Sequence, residues 1–292
     1  MRGGTKADMT DSSSSDWSPA DNPYAIAVSQ AQLWRDVVVL TVHRMRDKDD
    51  DRVMWSSRQL DAHVLVVTLQ QLLTAEQLEQ AALTALATDP AVGATLAAAR
   101  QRFEDALPGI KYMRNALMHF DAWSQGMGHG PQKQRQQAGD TLREIARDFS
   151  HFGYDPTAGT VELGPYTIEI DVAARAAVEL ARAINLAAHE VDKASVAQLR
   201  AKTIEALTDA GIPHNATGQV LRVSPGNDLR VWLSFWPDTG VEEQNLRTLA
   251  EQIESALADA GLHLESINLA EHLETTERLV RRESLRVAEG TS

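Results

Sequence analysis

The sequence predicts a mainly α chain: a helical bundle with a β-hairpin insert, followed by a small α+β domain. Three observations carry this. Apolar residues recur at helical spacing through most of the first 190 positions. Period-two alternation is confined to a few short runs. Pro/Gly breaks at Asp89-Pro90, Pro108-Gly109 and Gly130-Pro131 separate the periodic segments. A chain of 292 residues, 43% apolar and 24% charged, can bury a core and divide into two domains.

The elements follow in order. Residues 1–22 are rich in Ser, Asp and Gly, with Ser12–Ser15 in a row, and read as a disordered tail. A helical domain is expected over 23–193. Tyr24–Arg46 carries Ile26, Leu33, Val37 and Leu40 as a helical stripe, and Asp47–Arg52 is a charged break. Met54–Glu76 forms a second helix around Leu60, Val64, Val67, Leu72 and Leu73. Thr74 with Gln77 has the spacing of a capping box that would open a fresh helix. Ala91–Leu107 and Ile110–Trp123 follow as helices, and Gly126, Gly128 and Gly130 form a glycine-rich loop. Gln137–Phe152 reads as helix. Thr160–Leu163 and Tyr166–Ile170 alternate around Gly164-Pro165, a hairpin. Asp171 caps a long helix to about Val191 with Ala174, Val178, Ala181, Ile184 and Leu186 on one side.

A small α+β domain is expected over 194–270. Ser195 and Gln198 suggest a helix start, and that helix ends at Gly211. Gly218–Val223 and Asp228–Trp236 read as strands. Thr239 and Glu242 precede a helix with Leu246, Leu249, Ile253 and Leu257, and Leu262–Leu269 reads as a third strand. The order α-β-β-α-β resembles a ferredoxin-like sandwich lacking its first strand. Residues 271–292 read as a charged tail.

Composition excludes several functions. With no cysteine there is no disulfide, thiolate metal site or cysteine nucleophile. No stretch of about 20 apolar residues spans a membrane. The first twenty residues lack an apolar signal core, which predicts a cytoplasmic protein. No His/Asp/Glu group has metal-ligand spacing, so neither metal nor cofactor is expected. The acid run Asp47–Asp51 lacks the glycine and distal glutamate of a calcium loop. The net charge of -13 disfavours a general nucleic-acid binder. Residues 100–135 reverse the sign: Arg100, Arg102, Lys111, Arg114, Lys133 and Arg135 against Glu104, Asp105 and Asp121, six minus three, net +3.

Within that island lies Lys111-Tyr112-Met113-Arg114-Asn115-Ala116-Leu117-Met118-His119. Arg-x4-His alone is expected about 0.7 times by chance, and Arg58–His63 is a second copy. Requiring Asn after the Arg lowers the expectation to about 0.02, which singles out Arg114-Asn115-x3-His119. This segment resembles the Arg-Asn-x3-His motif of HEPN domains. The resemblance spans the helix order of Pro23–Lys193 and six residues of motif. It implies a compact helical bundle, homodimeric in form, and in many members a metal-independent ribonuclease, often of a toxin or defence system. Others of the family are non-catalytic.

The residue types suit that chemistry. Histidine moves protons near neutral pH. Arginine offers a permanently charged planar fork to phosphate oxygens. The expected catalytic set is Arg114, His119 and Asn115, with Arg102, Lys111 and His129 (in a flexible glycine loop) as RNA contacts. Arg114 and His119 are five apart, about 140° around an ideal helix, and converge only if the arginine bends round or a second copy contributes. The alternative is structural: Met113, Leu117 and Phe120 as core, Asn115 or His119 in a buried polar network, Arg114 paired with an acid. The chain is then an interaction module. On Arg230–Trp236 the face carrying Trp232 and Trp236 is its candidate surface for a protein partner, or for stacked RNA bases.

Overall fold

The computed structural model of the chain describes residues 25–47, 54–215, 221–225, 231–235, 243–267, 274–275, 278–279 and 284–289. The tail 1–22 and Trp236 lie outside them. The fold is mainly helical, with nine helices among the described residues and small antiparallel sheets. Two compact units are present. The first takes residues 1–82 and 90–187, the second 83–89 and 188–292.

In the first unit α1 spans Ala25–Met45 and α2 Ser57–Ala85. The expected break at Thr74 does not occur. The Thr74 hydroxyl donates to the Gln70 carbonyl one turn back (3.4 Å) instead of capping a new helix. The inward faces also differ from the aliphatic stripes read in the sequence. On α1 the buried residues are Ala27, Ala31, Val38, Val42 and Met45, while Leu33 and Leu40 are 49% and 61% exposed. The buried stripe of α1 mixes alanines with valines and a methionine and is rotated away from Leu33 and Leu40. Leu60 and Val64 of α2 are likewise exposed, and Ala62, Leu65, Leu69 and Leu72 are buried.

Polar groups fasten the bundle. Glu76 is buried on α2. Arg100 of α3 (Pro90–Ala106) donates to it (3.0 Å) and to Glu104 (3.0 Å). Burial holds the Glu76 carboxyl above its ordinary range despite that arginine. Arg44 pairs with buried Asp61, and Arg46 with Asp171.

The hairpin gains a third strand. β1 (Phe152–Asp155), β2 (Thr160–Leu163) and β3 (Tyr166–Glu169) form an antiparallel sheet in that order. β1 is an edge strand, and α2 closes it. The Gln59 amide donates to the Phe152 carbonyl (3.2 Å) and accepts from the Tyr154 N–H (2.9 Å). One side chain thus satisfies a donor and an acceptor of the open edge. Phe152 was expected to end a helix over 137–152. Instead Gly139 interrupts it (φ 100°), and two short helices replace it, α6 (Pro131–Gln137) and α7 (Leu142–Asp148), these numbers following α4 and α5 over residues 110–124 described below. Thr141 and Glu144 form the capping box of α7.

Helix α8 runs unbroken from Ile170 to Asp209. The expected interruption near residue 193 is absent, so Ser195 and Gln198 lie inside the helix and cap nothing. The division between units falls within this helix, at Ala187/Ala188 rather than at residue 194. Its buried face in the first unit is Ala173, Ala177, Leu180, Ile184 and Ala187, and Val178 and Leu186 point to solvent.

In the second unit β4 (Leu221–Pro225) pairs with β5 (Val231–Phe235), α9 spans Glu243–Asp259 and β6 spans Leu262–Ile267. Residues 271–292, expected as a tail, instead supply further strands: the short pair β7 (Glu274–Thr275) and β8 (Arg278–Leu279), and β9 (Ser284–Glu289). β9 sits between β5 and β6, antiparallel to both, giving the order β4-β5-β9-β6. It fills the slot left by the strand missing from the α-β-β-α-β pattern. Val223, Val231, Leu233 and Leu262 of the sheet pack with Leu207, Ile253 and Leu257 of the helices. Trp232, on the opposite strand face, is half-buried.

A clamp between α6 and α7 gives a test. Arg135 bonds Asp140 (2.5 Å) and Asp148 (2.7 Å), and Arg147 adds a second bond to Asp148 (3.2 Å). Hydrogen bonding from Arg135, then from Arg147, holds the Asp148 carboxyl below its ordinary value. A lowered folded-state value stabilises the fold at pH above the ordinary carboxylate range and loses that contribution as pH falls through the folded value. Arg135→Ala is expected to raise the Asp148 value toward normal in an NMR-monitored titration. An unmoved titration would assign the shift to Arg147 alone.

Candidate active site

The motif helix begins at Gly109, whose φ of 79° turns the chain after Pro108. A side chain there would collide with the Tyr166 ring. From it α4 runs over Ile110–Met118, burying Ile110, Met113 and Ala116. The helix does not continue to Trp123 as expected. His119 adopts φ -126°, ψ 45°, ends α4, and serves as the N-cap residue of α5 (Phe120–Ser124).

Aromatic packing fixes this helix in place. Tyr112 of α4 stacks on Tyr166 of β3 (centroids 5.7 Å, 22°). Phe149 contacts Tyr166 (6.4 Å) and meets the buried Trp123 of α5 edge-on (5.6 Å). Burial raises the Tyr166 phenol value, with Tyr112 adding to it. The glycine loop is tied down rather than flexible. Buried Gln132 accepts from the Gly128 N–H (2.6 Å) and donates to the Trp123 carbonyl (3.0 Å), and Gln136 donates to the Gly126 carbonyl (2.6 Å).

The motif side chains sort by angle around α4. Lys111 and Met118 are exposed and Asn115 half-buried on one face, with half-buried Arg114 on one flank. The Arg114 Nη1 donates to the Asn115 Oδ1 (3.2 Å), so the guanidinium leans across the exposed face. Among the described residues Arg114 forms no ion pair, and its Nε is buried without an acceptor. His119 is exposed at the break. The acidic partner and the buried polar network of the structural reading are therefore absent for Arg114 and His119.

The basic island divides into spent and unspent charge. Arg100 and Arg135 are consumed by Glu76, Glu104, Asp140 and Asp148. Arg102, Lys111 and Lys133 are exposed, with no carboxylate partner among the described residues. His129 is exposed in the pinned loop, next to Gly130, whose missing side chain leaves room for the Tyr112 ring of the motif helix. Among the described residues no hydrogen bond, ion pair or ring contact joins Arg114 to His119, or Arg102 to either of them.

The second Arg-x4-His segment is structural. His63 Nδ1 donates to the Gln59 carbonyl one turn back (2.7 Å), and its ring packs on Phe152 (4.2 Å). Among the described residues no group of three or more His, Asp or Glu is placed to hold a metal ion. Among the described residues no helix is long and apolar enough to cross a membrane.

Sequence reasoning missed Tyr112 and Gln132 as supports and misassigned Phe120. Expected in the core, Phe120 is 72% exposed. The Gly128-x-Gly130-Pro131-Gln132 spacing held a signal for Gln132, since a glycine turn before a proline-led helix leaves N–H groups to satisfy. No protein-family model, curated protein or solved structure matches this chain.

Gly130 tests the support. Its φ of 67° and ψ of -117° suit glycine, and an added Cβ would meet Tyr112 Cε1 at 2.5 Å. Gly130→Ala is expected to cost about 2–4 kcal/mol in denaturant unfolding. An unchanged midpoint would show that Tyr112 moves aside freely.

Proposed function

We propose that the chain is a metal-independent endoribonuclease of HEPN type, with Arg114, Asn115 and His119 as its catalytic set. The observation that supports this most is the state of Arg114: a guanidinium in the motif, unpaired with any carboxylate, turned by Asn115 toward the face that carries Lys111. A permanent cation without a counter-ion among the described residues, five positions from an exposed imidazole, suits a phosphodiester.

In this reading Arg114 binds a non-bridging phosphate oxygen and offsets the charge that builds on phosphorus. His119 removes the proton of the 2′-hydroxyl, whose oxygen attacks phosphorus. The bond to the 5′-oxygen breaks, and that oxygen takes a proton from a second acid, the His119 of a second copy or water. The products are a 2′,3′-cyclic phosphate and a 5′-hydroxyl. Asn115 holds the guanidinium. A homodimer apposing two α4 faces would supply both histidines and double the unspent positive charge. Lys111, Arg102 and His129 would contact the RNA strand outside the reacting phosphate. A role in a toxin or defence system, and a cytoplasmic setting, belong to the same reading.

A second reading is favoured by a different observation. Leu33 and Leu40, seven residues apart on α1, both face solvent with half-buried Val37 between them. An exposed apolar helix stripe suits a non-catalytic dimerisation or protein-interaction module, with the Trp232 face as a further contact surface.

One experiment separates them. Labelled single-stranded RNA is incubated with the purified chain in EDTA, and products are tested for 2′,3′-cyclic ends. The nuclease reading expects such ends, and a fall of at least ~100-fold in rate for Arg114→Ala and for His119→Ala with the helical circular dichroism unchanged. Undiminished cleavage by the double variant, or no cleavage by a well-folded dimer, leaves the interaction module.

A further inference from the structure

We propose that β6 is an interface strand: through its open edge the second unit pairs with a second copy of this chain, about a two-fold axis at Leu264. Neither functional reading uses this surface, so the proposal stands or falls separately from RNA cleavage.

The two edges of the sheet β4-β5-β9-β6 are finished differently. A strand residue turns its N–H and carbonyl to one side, and successive residues alternate. On β4 the outward residues are Leu221, Val223 and Pro225, and their edge is closed. The Leu221 carbonyl accepts from the Asn215 N–H (2.9 Å), and the Val223 N–H donates to the Asn215 Oδ1 (2.8 Å). The Val223 carbonyl accepts from the Arg200 Nε (3.3 Å). Pro225 has no N–H to leave open. Such devices keep an edge from templating another strand.

The same alternation carries across the sheet. Arg222 and Ser224 exchange their hydrogen bonds with Ser234 and Trp232 of β5. Val231 and Leu233 then bond Val287 and Leu285 of β9, and Arg286 and Ala288 bond Glu265 and His263 of β6. This leaves Leu262, Leu264 and Ser266 turned to the outer side of β6. Among the described residues their N–H and carbonyl groups meet no partner there. The strand has no proline, lysine or bulge to blunt it.

Register selects the occupant. A symmetric antiparallel pair matches outward residues with outward residues, so its axis passes through a residue. An axis through Leu264 pairs Leu264 with itself and, twice, Leu262 with Ser266. Every outward residue of both strands is then used. The same register sets position 263 opposite position 265 twice, a histidine against a glutamate. An axis through Glu265 would use two of the three outward residues and set glutamate against glutamate. The strand is thus complementary to itself in one register. Leu262 is buried and Leu264 half-buried against the core, so this pairing also brings two leucines together beside it.

The test uses the full chain. Its mass is followed on dilution by light scattering, and amide hydrogen exchange is read residue by residue. A dimer is expected at high concentration, with the Leu262, Leu264 and Ser266 amides protected in it and released on dilution, while those of His263 and Glu265 stay protected. Ser266→Pro removes an outward N–H and leaves the bonds to β9 intact, so it is expected to lose dimer mass with unchanged circular dichroism. Position 263 lies beside Ala288 within the sheet, so its charge can be changed without opposing another there. His263→Glu is expected to weaken the dimer on the order of 10-fold, and His263→Lys to leave it at least as tight as the wild type. A monomer at every concentration overturns the proposal. Leu264 protection that ignores dilution in a monomer overturns it as well, since the chain would then cover its own edge. A dimer that keeps its mass in Ser266→Pro has its interface elsewhere, and equal affinities of His263→Glu and His263→Lys remove the axis at Leu264. Either result overturns the proposal.

Discussion

The stacking of Tyr112 on Tyr166 is the contact on which the motif helix depends. α4 is only nine residues long, too short to be stable on its own propensity. Its position is set at both ends by rings and glycines. Gly109 turns the chain beneath Tyr166, and Gly130 opens the loop beside Tyr112. Through Phe149 the same aromatic row reaches Trp123 on α5. The three-stranded sheet, an appendage by size, is thereby what holds the motif. Gln59 explains how the sheet is itself held: its amide takes the place of a fourth strand at the open edge and ties β1 to α2.

Charge in this chain is arranged by pairing more than by number. The net charge of -13 says little about the motif surface. What decides is which cations have been neutralised locally. Arg100 spans two carboxylates, one of them buried, and is part of the bundle's internal fastening. Arg135 spans two more and clamps α6 to α7. Neither is available to a ligand. Arg102, Lys111, Arg114 and Lys133 remain, and of these Arg114 alone is both half-buried and oriented by a neighbouring side chain. A basic residue count on the sequence could not make this division, because ion-pair partners such as Glu76 lie 24 positions away.

Element types were largely legible in the sequence, and their limits and facings were not. The Gly164-Pro165 turn marked β2 and β3 correctly because alternation and turn chemistry agreed there. The two false helix starts, at Thr74 and Ser195, share a cause. Ser/Thr-x-x-Gln caps only when the preceding backbone leaves the helix, and inside α2 and α8 it does not. The α1 stripe of Leu33, Val37 and Leu40 misleads because the helix offers a second apolar stripe, Ala27, Ala31, Val38, Val42 and Met45, and that one is buried. β9 was hidden behind Arg281, Arg282 and Glu283, although Leu285 and Val287 alternate as a strand should. Of the candidate site, the motif's place on a helix was readable. The break at His119 was not, since no glycine or proline marks it.

That break bears directly on the chemistry. On a continuous helix Arg114 and His119 would point about 140° apart, and one substrate phosphate could not meet both without distortion. Ending α4 at Met118 takes the His119 φ and ψ out of the helical range, although its N–H still donates to the Asn115 carbonyl (2.9 Å) and its carbonyl accepts from the Trp123 N–H (3.1 Å), and the Arg114 Nη1 donates to the Asn115 Oδ1 (3.2 Å). Both are local departures from an ideal exposed helix. They also carry a cost, since the Arg114 Nε is left buried without an acceptor. The Nε of Arg58, in the second Arg-x4-His segment, is buried in the same way, so this feature alone does not set the two segments apart.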